Sequence, residues 1–411
     1  MTTPATTTRG VDRRLLRTAA LGVVLAGFVL VACGSGAGAS TPAKALGRGA
    51  EGPRRAIPWA QVGPGWSVAL WGPAKPEPTG VTTPAGQLSL STESPTLYLL
   101  DPQGGRYRIT TLAPAGDHSR SLDAWSGDGR RVLIATSQTQ SSDITLTEIS
   151  LVSARAHSFT ASDTFGGVYA NPAGGSILVT SGDSFPMKLE RVSTDGTAQL
   201  TYPQSFAGPG LFNGTFASSP DGAEIAMGEQ GGQVALVSKS GVTLTNVPVP
   251  GATSCTPTRW WSKTEVLASC QPTGTGHPLL WLVPTSGGAP TAFTVPGPPG
   301  PDNGDQVAWQ VGRGTYVQDV GGCGYVYLTK RTAARTTSPV YVPYVNSRYS
   351  VLVLGATGGQ MLVQSALACG PGNTLLWFNP STGTAHVVLG PTVNGGSVNQ
   401  AILFGTNNGG S

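Results

Sequence analysis

Charge is scarce in this sequence. Asp, Glu, Lys and Arg make up 11 % of the 411 residues, against roughly 25 % in ordinary soluble chains. A nucleic-acid footprint needs a clustered basic face, and none is visible. Histidine is also scarce. His118, His157, His277 and His386 are far apart in the chain and show neither H-E-x-x-H nor any paired ligand spacing. We place them in four different repeats, as turn or hairpin residues. No G-x-S-x-G nucleophile elbow occurs in the folded part. There is one long apolar run, Leu21 to Val31, and it is shorter than the roughly 20 residues that span a bilayer.

What is abundant is glycine and proline. The chain has 58 Gly and 33 Pro, about 22 % of its residues. Helix interiors do not tolerate that density. Hydrophobic residues make up 39 % and fall in short runs, which argues against disorder. An all-β chain with many tight turns remains.

The first residues read as an address. Arg9, Arg13, Arg14 and Arg17 form a basic region ahead of the apolar run, the pattern of an export signal. Arg13-Arg14-Leu15-Leu16 leaves Sec and twin-arginine export both open. Leu30-Val31-Ala32-Cys33-Gly34 resembles a bacterial lipobox. That resemblance implies cleavage after residue 32 and a thioether-linked diacylglycerol on Cys33. The mature protein would be a lipoprotein, held to the outer side of the cell membrane by its lipid alone. Without residues 1–32, Lys plus Arg falls from 25 to 21 and Asp plus Glu from 21 to 20. The basic balance therefore belongs mainly to the export signal. Residues 33–56 read as a lipidated cysteine and flexible tether. Gly47-Arg48-Gly49-Ala50-Glu51-Gly52 fits G-x-G-x-x-G but lacks the flanking strand and helix of a dinucleotide site.

Residues 57–405 are repetitive. Leu97 to Ile109, Leu189 to Leu200, Leu280 to Phe293 and Leu376 to Val388 each read as strand, turn, strand. A second hairpin unit interleaves with them, as in Trp125 to Ile134 and Ser219 to Ala226. Two hairpins per repeat, with a period of roughly 40–50 residues, are the signature of propeller blades. The expected fold is an all-β, seven-bladed β-propeller with four-stranded antiparallel blades. Its inner strands should lie near residues 59–66, 121–125, 166–170, 213–217, 256–261, 305–310 and 348–354. Ser397 to Phe404 should pair into the first blade and close the ring. Residues 406–411 should form a disordered tail.

Ser219-Pro220-Asp221-Gly222 followed by alternating apolar residues resembles the TolB-like propeller repeat. With the lipobox and the Gly/Ala/Thr/Pro-rich composition, the chain is similar to TolB-like lipoproteins of actinobacteria. That resemblance implies a non-enzymatic, protein-binding or scaffold module of the cell envelope, with an envelope protein as partner. The Tol–Pal system of diderm bacteria is not carried over. A small-molecule, carbohydrate or hydrolytic site in the axial funnel is the alternative. No cofactor, metal or nucleic acid is expected, and the chain should be a monomer.

Four cysteines follow Cys33, an even number that favours disulfides in an exported protein. Cys255 and Cys270 fall on neighbouring strands at one rim of a blade. Cys323 and Cys369 fall in equivalent loops of adjacent blades. The expected pairs are Cys255–Cys270 and Cys323–Cys369. Asp302-Asn303-Gly304-Asp305 reads as an inter-blade turn. Trp260, Trp261 and Trp309 read as blade packing on inner strands.

Overall fold

A computed structural model describes residues 45–73, 93–138, 143–170, 174–182, 184–208, 210–296, 302–321, 326–345, 349–367, 370–406 and 409–410. Strands dominate them. The first are β1 (Glu51–Pro53), β2 (Ser67–Pro73), β3 (Thr96–Leu100) and β4 (Arg106–Thr111). Next come β5 (His118–Trp125), β6 (Arg131–Gln138), β7 (Ile144–Ser150) and β8 (Ala156–Ala161). They are followed by β9 (Thr164–Tyr169), β10 (Ser176–Ser181), β11 (Lys188–Ser193) and β12 (Ala198–Thr201). The middle of the chain gives β13 (Leu211–Ser218), β14 (Glu224–Gln230), β15 (Gln233–Ser238) and β16 (Thr243–Pro248). Then come β17 (Ala252–Ser262), β18 (Glu265–Pro272), β19 (Leu279–Pro284) and β20 (Thr291–Ala292). The later strands are β21 (Asp302–Val311), β22 (Gly314–Gly321), β23 (Val326–Arg331), β24 (Thr337–Pro339), β25 (Tyr349–Thr357), β26 (Gln360–Leu367), β27 (Gly370–Asn379) and β28 (Thr384–Leu389). The last are β29 (Gly396–Leu403) and β30 (Gly409–Gly410). The one α-helix among the described residues is a single turn, Pro391–Asn394.

Sheet I runs β1-β4-β3-β2-β29, sheet II holds β5–β8 and sheet III holds β9–β12. Sheet IV holds β13–β20, nine-stranded with β30 included, and sheets V and VI hold β21–β24 and β25–β28. Apolar residues between successive sheets form the core. Leu70 and Leu99 of sheet I meet Val132 and Ile134 of sheet II. Leu146, Ile177 and Met227 link sheets II, III and IV. Leu280 and Val317 link IV to V, and Trp309 and Met361 link V to VI. Leu375 and Trp377 of sheet VI pack on Tyr98 and Val398 of sheet I. The contacts run full circle, so the fold is an all-β propeller.

The ring closes as expected, with β29 antiparallel to β2 from Ser67↔Leu403 to Pro73↔Gly396. That pairing corrects the first inner strand. Residues 59–66 form turns, because β29 takes the inner place in sheet I. Two more corrections concern the ends. Within the expected tether, Glu51–Pro53 adds a parallel edge strand to β4, and Glu51 bonds Arg106 at 2.9 Å and Arg108 at 3.1 Å. Within the expected disordered tail, Gly409 and Gly410 pair antiparallel with Ala217 and Phe216 of β13. The sheets also differ from seven separate four-stranded units. Sheet IV joins two four-strand sets at one bridge, Gln230↔Ser254.

The turn that carries the resemblance has a defined bond set. Ser219 Oγ donates to Asp221 Oδ1 at 2.6 Å and accepts from the Glu224 amide at 3.0 Å. Gly222 completes it at φ +69°, where glycine carries no penalty. The Ser219 hydroxyl, then the Ala223 amide, hold Asp221 below the usual carboxylate range. Ser126, Asp128 and Gly129 repeat the arrangement.

Candidate functional site

Four-stranded up-and-down sheets place the start of each inner strand and each second-to-third-strand loop on one face of the ring. From that geometry, β5, β9, β13 and β29 line the axis. A cavity of about 250 Å³ opens among them, bounded by Ser121, Asp123, Gly166, Gly167, Phe216 and Gln400, with Phe165, Val168, Leu178 and Thr180 nearby.

A bulge creates its polar centre. In the β5–β6 ladder, Leu122 faces Ile134 and Ala124 faces Leu133, so Asp123 is the extra residue. Bulges re-aim side chains in this way. Asp123 Oδ1 accepts from Ser121 Oγ at 2.5 Å, and Oδ2 accepts from the Gly167 amide at 3.0 Å. The second bond ties sheet II to sheet III. Burial raises the Asp123 carboxyl to about 6, against the opposing pull of these two bonds. Among the described residues it is the one ionisable group on the cavity lining. Across the other seam, Gln400 Oε1 accepts from the Leu122 amide at 2.5 Å.

The glycines have a steric reason. A Cβ at Gly166, whose φ is +135°, would lie 2.7 Å from Asp123 Oδ2. A Cβ at Gly167 would lie 2.9 Å from Ile177 Cγ2. Close approach of strand backbone to a functional group is a recurrent use of glycine.

Chemically, the cavity offers one carboxylate acceptor, two hydroxyls, the Gln400 side-chain amide and apolar walls. It suits a ligand that presents an N–H or O–H donor beside apolar surface. Among the described residues, no group of three or more His, Cys, Asp or Glu is placed to hold a metal.

The residues to which the sequence pointed lie elsewhere. Cys255 and Cys270 face each other in the β17–β18 ladder and are bonded, with Cα atoms 4.1 Å apart. Cys33, Cys323 and Cys369 lie outside the described residues. Trp260 is buried between strands and donates Nε1–H to Ala217 O at 3.1 Å. Trp261 packs edge-on against Phe293, and Trp309 is buried in the core. Asp302 to Asp305 is the start of β21 rather than a turn, with Asp305 opposite Asp319. His118 and His157 share sheet II, on its opposite edge strands, which corrects the expectation of four separate repeats. Asp123, Gly166, Gly167 and Gln400 were not singled out from sequence. The available signal was the Gly-Gly pair inside a strand.

Exposed aromatics gather on one face. Phe165 is 57 % exposed near the start of β9, and Phe185 is 54 % exposed in the β10–β11 loop. Tyr341 and Tyr344, 78 % and 68 % exposed, lie in the loop from β24 to β25. The strand order puts all four on the face where the inner strands begin. The exposed aliphatics Val152 and Val242 lie in the turns of the opposite face.

No family model matches this chain, and neither does any curated protein. Solved structures do. A prolyl endopeptidase aligns with TM-score 0.51 and 14 % identity, over 72 % of this chain and 46 % of its own. This chain therefore spans about half the length of that enzyme. The β-propeller domain of the Trilobed protease from Pyrococcus furiosus aligns at 0.47 with 9 % identity, over 78 % and 97 %. TolB from Acinetobacter baumannii aligns at 0.41 with 10 % identity, over 82 % and 66 %. The likeness is one of fold. At these identities no residue role passes from those proteins to this one.

Proposed function

We propose that this chain is a non-enzymatic binding propeller of the cell envelope, anchored through a lipid on Cys33 and displayed on the outer side of the membrane. Its partner is a protein that docks on the face where the inner strands begin. The observation that carries this reading is the segregation of Phe165, Phe185, Tyr341 and Tyr344 on that face. Aromatic side chains left in water at a rim are the composition of protein interfaces. The cavity among β5, β9, β13 and β29, which Phe165 also lines, supplies a half-buried acceptor, Asp123, to fix orientation. We read sheet IV as two blades fused at one bridge, which makes seven blade units in the TolB-like manner.

Hydrolysis is the less supported reading. The Asp123 carboxylate is bonded to Ser121 and Gly167. Among the described residues, the lining offers no second ionisable group to share proton transfer. Replacing all four rim aromatics by Ser tests the proposal. Affinity capture from intact envelopes should recover a partner with the wild-type chain and lose it with the variant, at unchanged melting temperature. Equal recovery by both would move the binding surface elsewhere.

A further inference from the structure

The cavity among β5, β9, β13 and β29 carries an unbalanced charge. Among the described residues, Asp123 is the one ionisable group on its lining, and it belongs to none of their ion pairs. The charged and titratable side chains on the surrounding strands are engaged elsewhere. Arg120 of β5 donates Nη1–H to Ala113 O at 2.6 Å. Arg131 of β6 pairs with Asp128 at 3.2 Å and lies 4.0 Å from Glu148. Tyr169 of β9 donates to Glu148 at 3.1 Å. His118 begins β5, outside the lining, and β10, β13 and β29 carry no Asp, Glu, Lys, Arg or His. A carboxylate without a counter-charge, partly withdrawn from water, favours a positive ligand.

The hydrogens of the wall are already engaged. Ser121 Oγ donates to Asp123 Oδ1, Thr180 Oγ1 donates to Gly214 O at 3.3 Å, and the Gly167 amide donates to Asp123 Oδ2. Both hydroxyl oxygens keep lone pairs, and so does each carboxylate oxygen. Gln400 accepts from the Leu122 amide through its oxygen, and its nitrogen is the side-chain donor that remains on the lining. A ligand here therefore meets mainly acceptors. Phe165, 57 % exposed, and the buried Phe216 add aromatic surface, which attracts cations.

We propose that this cavity binds an alkylammonium group, with Asp123 as its counter-ion and Ser121 and Thr180 as further acceptors. A compact ammonium with three N–H groups matches separated single acceptors. A guanidinium fork matches a carboxylate with both oxygens open, and here each oxygen already accepts one bond. A bare calcium ion needs roughly six to eight oxygen ligands, and the lining has one carboxylate. The volume of about 250 Å³ is below the roughly 300–1,000 Å³ of pockets for drug-sized ligands. The ligand is therefore a small amine or a single lysine side chain. The proposal rests on the reading of this cavity as the orienting part of the binding surface.

The test is a calorimetric titration of the full chain with n-butylammonium chloride, Nα-acetyl-lysine methylamide and 1-butanol at constant ionic strength. At pH 7.5 the cations should bind saturably near the millimolar range, and 1-butanol at least about tenfold more weakly. Asp123→Asn should weaken the cations at least about tenfold and leave 1-butanol unchanged. If Asp123→Asn does not fold, the wild type decides. Its Asp123 carboxyl titrates near 6, so protonation should weaken the cations about tenfold between pH 7.5 and pH 5. Tighter binding of the capped lysine marks a partner's side chain as the source, and tighter binding of butylammonium marks a free amine; both support the site. The proposal is overturned if neither cation binds saturably, if 1-butanol binds as well as butylammonium, or if Asp123→Asn leaves the affinity unmoved. The docking reading fails separately, through partner capture that survives loss of the rim aromatics while the wild-type chain still binds butylammonium.

Discussion

Replacing Asp123 by Asn should stabilise this protein at neutral pH and leave it unchanged in acid. The reason is linkage. Burial lifts the folded-state carboxyl from 3.8 to about 6. Between those values the folded state holds a proton that the unfolded state has released. Stability therefore falls as pH climbs from about 4 to about 6, and the full loss persists above that window. At about 1.4 kcal/mol per pH unit, the ceiling is about 3 kcal/mol, and partial solvent access lowers it to about 1–3 kcal/mol. Asn keeps the geometry, because its Oδ1 accepts from Gly167 and its Nδ2 donates to the Ser121 hydroxyl. Unfolding entropy near 2.1 cal/mol/K per residue over about 350 residues converts this to roughly 1–4 °C in melting temperature. The assay is a thermal melt of both proteins from pH 4 to pH 8 in EDTA. Glu229, raised to about 7 by burial, titrates in both and cancels from the difference. The curves should coincide at pH 4 and separate by pH 7. A pH-independent offset, or a variant less stable at pH 7.5, refutes the reasoning.

Three further outcomes are expected. Removing the Cys255–Cys270 bond with an Ala pair frees a loop of sequence separation 15. On chain-entropy grounds that is worth about 3 kcal/mol, or about 4 °C, and a shift under about 1 °C would show that the two strands need no staple. Gly166→Ala forces a Cβ to 2.7 Å from Asp123 Oδ2 at φ +135°, which should cost about 1–3 kcal/mol; chemical denaturation with an unchanged midpoint contradicts this. Ser219→Ala removes the hydroxyl that joins Asp221 to Glu224 and should cost about 1 kcal/mol, read by the same denaturation, with a neutral result denying the turn its role.

The ring was legible because blade strands recur at a regular spacing and their apolar faces alternate. The closing strand was legible for the same reason, since Ser397 to Phe404 falls one period after the last repeat. The first inner strand was misplaced because a closing chain end occupies that position, so residues 59–66 have no ladder to join. Cys255 and Cys270 could be paired from sequence because a hairpin brings its facing strands into register. Asp123, Gly167 and Gln400 could not be grouped. Their bonds span 44 and 278 residues, and only closure of the ring makes them neighbours. The bulge that aims Asp123 inward has no separate signature in Leu122-Asp123-Ala124. The rim aromatics were hidden for a similar reason. Exposure of Phe165 depends on which loops stand beside it, and sequence does not order the loops around an axis.

The most direct test of the central claim is site-specific photocrosslinking in intact cells. A photoreactive residue would be placed at Phe165 or Tyr341, and at Val152 or Val242 on the opposite face. The account predicts one discrete crosslinked protein from Phe165 and Tyr341 and none from Val152 and Val242. A discrete product from the Val152 and Val242 positions alone would contradict it.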